Sequence, residues 1–145
     1  MANPVSAANR WLKAAIDAGL LAAGYSSVKA YHDEADLDAS YPLVTYHQAG
    51  APVTLRTGGG IAVVQPLYRV QVHARADATT ITVLSAIADA LDSGITSAAA
   101  STIGSFYISG AWVDPRGPID ERGIENSVVF LRRGAHYRVM LNPTS

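Results

Sequence analysis

The chain has 145 residues, 49% of them hydrophobic and 16% charged, with a net charge of −1 and no cysteine. That length suits one domain with its own core, and the near-balance of charge excludes both a polycationic nucleic-acid face and an acidic steering field. The missing thiols exclude disulfides and thiolate chemistry, and suit folding in a reducing compartment.

The charged fraction lies below the about 25% usual for soluble domains. Two readings stay open: surface buried against other chains, or simply an alanine-rich composition. The opening Met1-Ala2-Asn3-Pro4 has neither a basic nor an apolar leader region, so no secretory signal is expected. No run approaches the roughly 20 apolar residues of a membrane span. The expectation is a soluble, intracellular protein without a membrane partner.

In chain order, Asn3 and Pro4 make a helix start, a capping side chain followed by proline. Trp11, Leu12, Ala15, Ile16 and Leu20 then form one stripe, and the helix is expected to end near Gly19 or Gly24. Residues 28–31 read as a short strand and 32–40 as a polar, acidic loop. Pro42 opens a second strand, 43–48. Segment 51–65 holds Pro52 and three glycines, Gly58 to Gly60, between apolar pieces 53–55 and 61–64. A mobile flap or a long hairpin both fit; the expectation is an extended β-hairpin arm with the glycines at its tip.

The most informative stretch is 66–94. Tyr68, Val70, Val72 and Ala74 alternate with Arg69, Gln71, His73 and Arg75, the pattern of a strand with one buried face. After Asp77 the period becomes helical, with Ile81, Leu84, Ile87, Ala88 and Leu91 on one side and Gly94 as the expected stop. Residues 95–103 read as a connector, 105–113 as a strand, 116–123 as a charged loop with glycine and proline. The pieces 126–131 and 136–141 form either a hairpin or one long strand bulged at Gly134; the long bulged strand is the expectation. The chain should thus be one α+β domain, 1–145. An antiparallel or mixed sheet of about four to six strands carries two main helices on one face, plus the 51–65 arm and a 142–145 tail.

No catalytic constellation emerges. Gly58 to Gly60 precede Ile61-Ala62-Val63 rather than the Gly-Lys-Ser/Thr and helix of a phosphate loop. The four histidines show no metal spacing, and Asp33-Glu34-Ala35-Asp36 lacks the partners of a helicase motif or of a calcium loop. No Gly-x-Ser-x-Gly elbow exists. The reading is no catalytic, cofactor or metal residue, and no enzyme. Contact anchors are better supported: Val53, Leu55, Ile61 and Val63 in the arm need a cover, and Trp112, Arg116, Arg132 and Arg133 are residue types common at interfaces. A neighbouring copy adding strands to an open edge would cover the arm.

The amphipathic first helix, Tyr-Pro-Leu-Val-Thr-Tyr at 41–46, Tyr-Arg-Val-Gln-Val-His-Ala-Arg at 68–75, the alanine-rich helix over 78–92 and the closing strand 132–141 resemble the tail terminator (tail completion) proteins of long-tailed bacteriophages. The resemblance implies a virion structural subunit that forms a six-membered ring at the head-proximal end of the tail tube. It implies a ring that stops tube polymerisation and meets the head connector, assembled in the host cytoplasm. Its partners are further copies of itself, the tail tube protein and the connector. The family carries no catalytic residues to transfer. The rivals are another head–tail joining or minor tail component and, in a different class, a small cytoplasmic ligand-binding domain or enzyme with a pocket between sheet and helices.

Overall fold

The computed structural model describes residues 3–58 and 60–144; the side chains of Thr57, Ile61 and Ala62 lie outside that description. Two helices and a curled mixed sheet make an α+β fold. Helix α1 (Pro4–Ala22) starts where the Asn3 side chain accepts the Val5 N–H at 2.9 Å, with Pro4 in the first turn. Its buried stripe includes Trp11, Leu12, Ala15, Ile16 and Leu20, as the spacing predicts. It stops at Gly24, whose φ of 85° allows a Schellman turn: Tyr25 N–H bonds Leu20 C=O at 2.8 Å and Gly24 N–H bonds Leu21 C=O at 3.1 Å.

Helix α2 (Ile81–Thr96) is capped by Thr80, whose hydroxyl accepts the Val83 N–H. Leu84, Ile87, Leu91 and Ile95 are buried, whereas Ile81 in the first turn is 60% exposed and leaves the expected stripe. Gly94 is not a stop. It lies inside α2 against Gly19 of α1, and a methyl group built on Gly94 would sit 2.7 Å from Gly19 Cα. Of the glycines expected near helix ends, Gly24 does end α1, whereas Gly19 and Gly94 let the two helices cross backbone to backbone.

Nine strands, rather than four to six, form the sheet among the described residues. They are β1 (Ala30–His32), β2 (Leu43–Gln48), β3 (Val53–Thr57), β4 (Gly60–Gln65), β5 (Leu67–Arg75), β6 (Ser101–Ile103), β7 (Phe106–Val113), β8 (Ile119–Glu125) and β9 (Val128–Pro143). The main path runs β1-β2-β5-β9-β4-β3, with β7 and β8 also on β9 and β6 on β7; only β1 and β2 are parallel. The extra strands are short, like β6, or charged and glycine-bearing, like β8, and so carry little propensity signal. The expected loop at 116–123 is thus largely strand, and the two residues Asn126-Ser127, with φ of 50° and 66°, are its hairpin turn to β9.

Strand β9 is the spine. β8 pairs with its first half and β7 with its second, while β5 runs along the other edge from Arg75↔Phe130 to Leu67↔Arg138. That register continues through Val139 N–H to Pro66 C=O, 3.1 Å, and Val64↔Leu141. β4 and β5 therefore act as one strand interrupted at Pro66. β3 pairs antiparallel with β4, with an irregularity between Leu55 and Arg56. The expected bulge at Gly134 is absent, because pairing passes through Gln71↔Gly134 unbroken. The glycine instead admits close approach: a methyl there would overlap the Val70 carbonyl and lie 2.7 Å from Gln71 Cα. The expected tail is shorter too, since β9 reaches Pro143 and Thr144 N–H bonds Ser105 C=O at 2.9 Å.

Both helices pack on one sheet face. Tyr68, Val70, Val72 and Ala74 of β5 meet them together with Val44, Tyr46, Ile108, Tyr137, Val139 and Leu141. The Tyr68 hydroxyl bonds Asn9 and Val5 C=O in α1, and the Tyr137 hydroxyl donates to Asp92 of α2 at 2.8 Å. Burial pushes both phenols well above their usual titration range, with the Asp92 hydrogen bond adding to the effect at Tyr137.

Candidate functional site

The opposite face of the sheet carries no packed helix among the described residues, and its side chains follow from register. Residues facing each other across neighbouring strands project to the same side. His47, Arg69 and His136 form one row; Thr45, Gln71, Gly134 and Ile119 a second; Leu43, His73, Arg132 and Glu121 a third. Toward the other end, Leu67, Arg138 and Trp112 share a row, and beyond it lie Val53 with Gln65 and Leu55 with Val63.

One end of this face is a polar network. Arg69 Nη2 reaches Glu121 Oε1 at 2.6 Å, Arg132 Nη1 shares that carboxylate at 3.5 Å, and Arg69 Nε donates to Gln71 at 3.0 Å. The Arg69 contact spans two strand spacings, which the curl of the sheet shortens. Arg138 Nε bonds Asp114 Oδ2 at 3.3 Å, and Arg116 approaches the same carboxylate at 3.4 Å. Thr45 Oγ1 lies 2.7 Å from His73 Nε2. Burial, then Arg132 and Arg69, push His73 down to about 4, with Glu121 opposing them only in part. His136 is also held below its usual range, first by burial and then by Arg69 and Arg116, and its Nδ1 is buried with no hydrogen-bond partner among the described residues. At neutral pH His73 and His136 therefore add little charge. The surplus is in the guanidinium groups, four of which share two carboxylates.

The other end is apolar and open. Val53 is 40% exposed, Leu55 50%, Tyr107 43% and Trp112 39%, with Val63 half-buried. β3 ends the strand order, so its outer edge carries backbone groups without a strand partner.

Of the contact residues expected from sequence, the fold brings Val53, Leu55, Val63, Trp112 and Arg132 onto this one face. Arg116 joins them through Asp114. Arg133 does not: it points to the helix side, where it bonds Ser85 of α2 and lies 3.4 Å from Asp120. Neighbours on a strand face opposite ways, so Arg132 and Arg133 had to separate. The side chain of Ile61 lies outside the described residues. Sequence reading missed Arg69, His73, Glu121 and Tyr107 as members of this face. The signal was present in the polar half of the β5 alternation, which marked a face without naming its neighbours.

Elsewhere, the acidic 32–40 loop holds Asp33, Glu34, Asp36 and Asp38 around a fully exposed Leu37, and a single 3.5 Å contact, His32 to Asp33, links those carboxylates to a basic side chain. A groove of about 600 Å³ runs between α1, α2 and β6, floored by Gly19 and Gly94 and lined by Trp11, alanines and serines without an ionisable side chain. Among the described residues, no three His, Asp or Glu side chains converge as a metal site, and no helix is long and apolar enough to cross a membrane. A scan against protein-family models and a search of curated proteins find no match to this chain.

Proposed function

We propose that this chain is a structural subunit of the tail-terminator type. It works by closing into a ring, six-membered by the family resemblance, that ends a tail tube and presents a surface to the head connector. The observation that carries this reading is the convergence of exposed Val53, Leu55 and Trp112 with Arg116 and Arg132 on one sheet face that lacks a helix. Monomeric proteins rarely leave such a patch beside an open sheet edge, since both invite association. In this reading the β3–β4 pair is an extended hairpin arm. It lies on the next subunit by strand addition, and its apolar side chains are covered there. The contact is heterologous, one patch meeting a different patch, and closes when the rotation per subunit divides the circle. A catalytic alternative has less to stand on: the groove between α1, α2 and β6 is lined by Trp11, alanines and serines, with no carboxylate or imidazole beside them for general acid–base work.

Sedimentation velocity of the purified protein, alone and mixed with its tube protein, followed by negative-stain imaging, tests the proposal. Rings, free or capping tube ends, are the expected outcome. A monomer that neither self-associates nor stops tube growth would end this reading.

A further inference from the structure

We infer that the acidic loop between β1 and β2 of one copy seats on the arginine-rich part of the helix-free sheet face of the next, with Leu37 against Trp112. This rests on the reading of the chain as a self-assembling subunit and names the partner of that face.

Charge complementarity argues for it. Arg69, Arg116, Arg132 and Arg138 share Glu121 and Asp114; with Glu125, which lines one cleft with Arg132 and His73, three carboxylates face four guanidinium groups and leave one positive charge in excess, while Arg75 and Asp77 beside them cancel. The side chains of Arg116 and Arg132 are 55% and 43% exposed, so a partner can reach them. The loop offers four carboxylates, Asp33, Glu34, Asp36 and Asp38, and His32 is the basic side chain paired with any of them. Such a surplus on each side steers association and fixes its register.

Shape argues for it as well. Leu37 stands wholly in solvent among the loop's carboxylates, an apolar side chain that a partner's apolar surface can cover. Trp112 offers an exposed aromatic surface in the row of Arg138, beside Arg116. The loop does not bring Leu37 to Trp112 of its own chain. It starts where Asp33 N–H bonds Tyr46 C=O at 3.0 Å and its far end is held by Tyr41, whose ring lies 5.3 Å from Phe130 in the cleft shared with Arg132, whereas β7 lies four strand spacings from β1, roughly 19 Å. The Trp112 end of the face is therefore left to a second copy, in a head-to-tail contact that repeats around a ring.

The absence of native cysteine makes disulfide trapping clean. Leu37→Cys mixed with Arg116→Cys should form a covalent heterodimer under mild oxidation about tenfold faster than Leu37→Cys mixed with Lys13→Cys on α1. Equal rates overturn the inference, as does a Leu37→Cys/Arg116→Cys chain that closes on itself when dilute. Charge exchange gives a second readout. Asp36→Lys/Asp38→Lys and Arg116→Glu/Arg132→Glu should each lose assembly, and the four changes in one chain should restore it. Loop and face variants that assemble like the parent, while Val53→Asp/Leu55→Asp does not, overturn this contact and leave the ring standing. A parent chain that never associates, alone or on tubes, removes both.

Discussion

Gly134 sets how closely β5 and β9 approach, so its substitution is the sharpest test of the sheet. Gly134→Ala would drive a methyl into the Val70 carbonyl, where backbone rather than a flexible side chain must yield. The expected cost is about 3 kcal/mol, read as a lower urea midpoint at unchanged slope. A variant as stable as the parent would mean that the unbroken β5–β9 register is wrong. Sequence alone suggested a bulge here, because a glycine in a strand marks either a bulge or a close approach and only the neighbouring strand decides. His73 gives a pH signature. The unfolded chain takes up a proton near 6.5, but the folded one does so only at about 4. The unfolded state therefore binds more protons in that window, and stability falls as pH drops from 6.5 toward 4. His136 is shifted the same way. Denaturation midpoints measured across that window should decline, and His73→Gln should flatten the decline. A slope unchanged by that substitution would show that the histidine is solvated in the fold.

Elements were legible where one physical signal dominated. The alternation in β5 and the stripe of α1 were readable because each buries one face, and the caps at Asn3 and Gly24 used ordinary end chemistry. β8 was not readable, since Asp120, Glu121, Arg122 and Gly123 carry a loop-like composition; the strand exists because β9 offers a free edge and Asn126-Ser127 accept positive φ. The helix crossing was hidden for a related reason: a glycine that ends a helix and a glycine that admits a neighbour look alike until the neighbour is present. Gly94→Leu should therefore force α1 and α2 apart, costing about 2 to 4 kcal/mol, with helical content retained below the transition. Loss of helical signal at the end of α2 with normal melting would instead return Gly94 to the role of a terminator. Leu84→Asp places an unpaired charge among buried residues of the same helix and should cost about 4 kcal/mol or more. A normally melting Leu84→Asp protein would show the helix phase to be wrong.

At the scale of the molecule, the sequence supplied the contact residue types and the fold supplied their convergence. Val53 and Trp112 lie 59 positions apart in the chain, yet the β4–β9–β7 pairing sets both on the same side. Arg132 joined them and Arg133 did not, a distinction of one residue that only the strand's period could make. This placement separates folding from assembly, and Val53→Asp/Leu55→Asp tests the separation. Both side chains are at least 40% exposed in the isolated subunit, so charging them changes monomer stability by about 0.5 kcal/mol or less. If the arm lies on a neighbour, the same change buries two carboxylates in an apolar contact, and association weakens by several kcal/mol. The expected result is a variant that melts like the parent but sediments as a monomer and no longer caps tubes. Salt should sort the proposed contacts further: an apolar contact through Val53 and Leu55 is expected to persist at high ionic strength, whereas one through the arginine face should lose its pull within a Debye length of about 3 Å at 1 M. A charged-arm variant that still assembles would locate the subunit contact elsewhere on the molecule, and a parent ring indifferent to salt would leave the arginine surplus without a role in holding it.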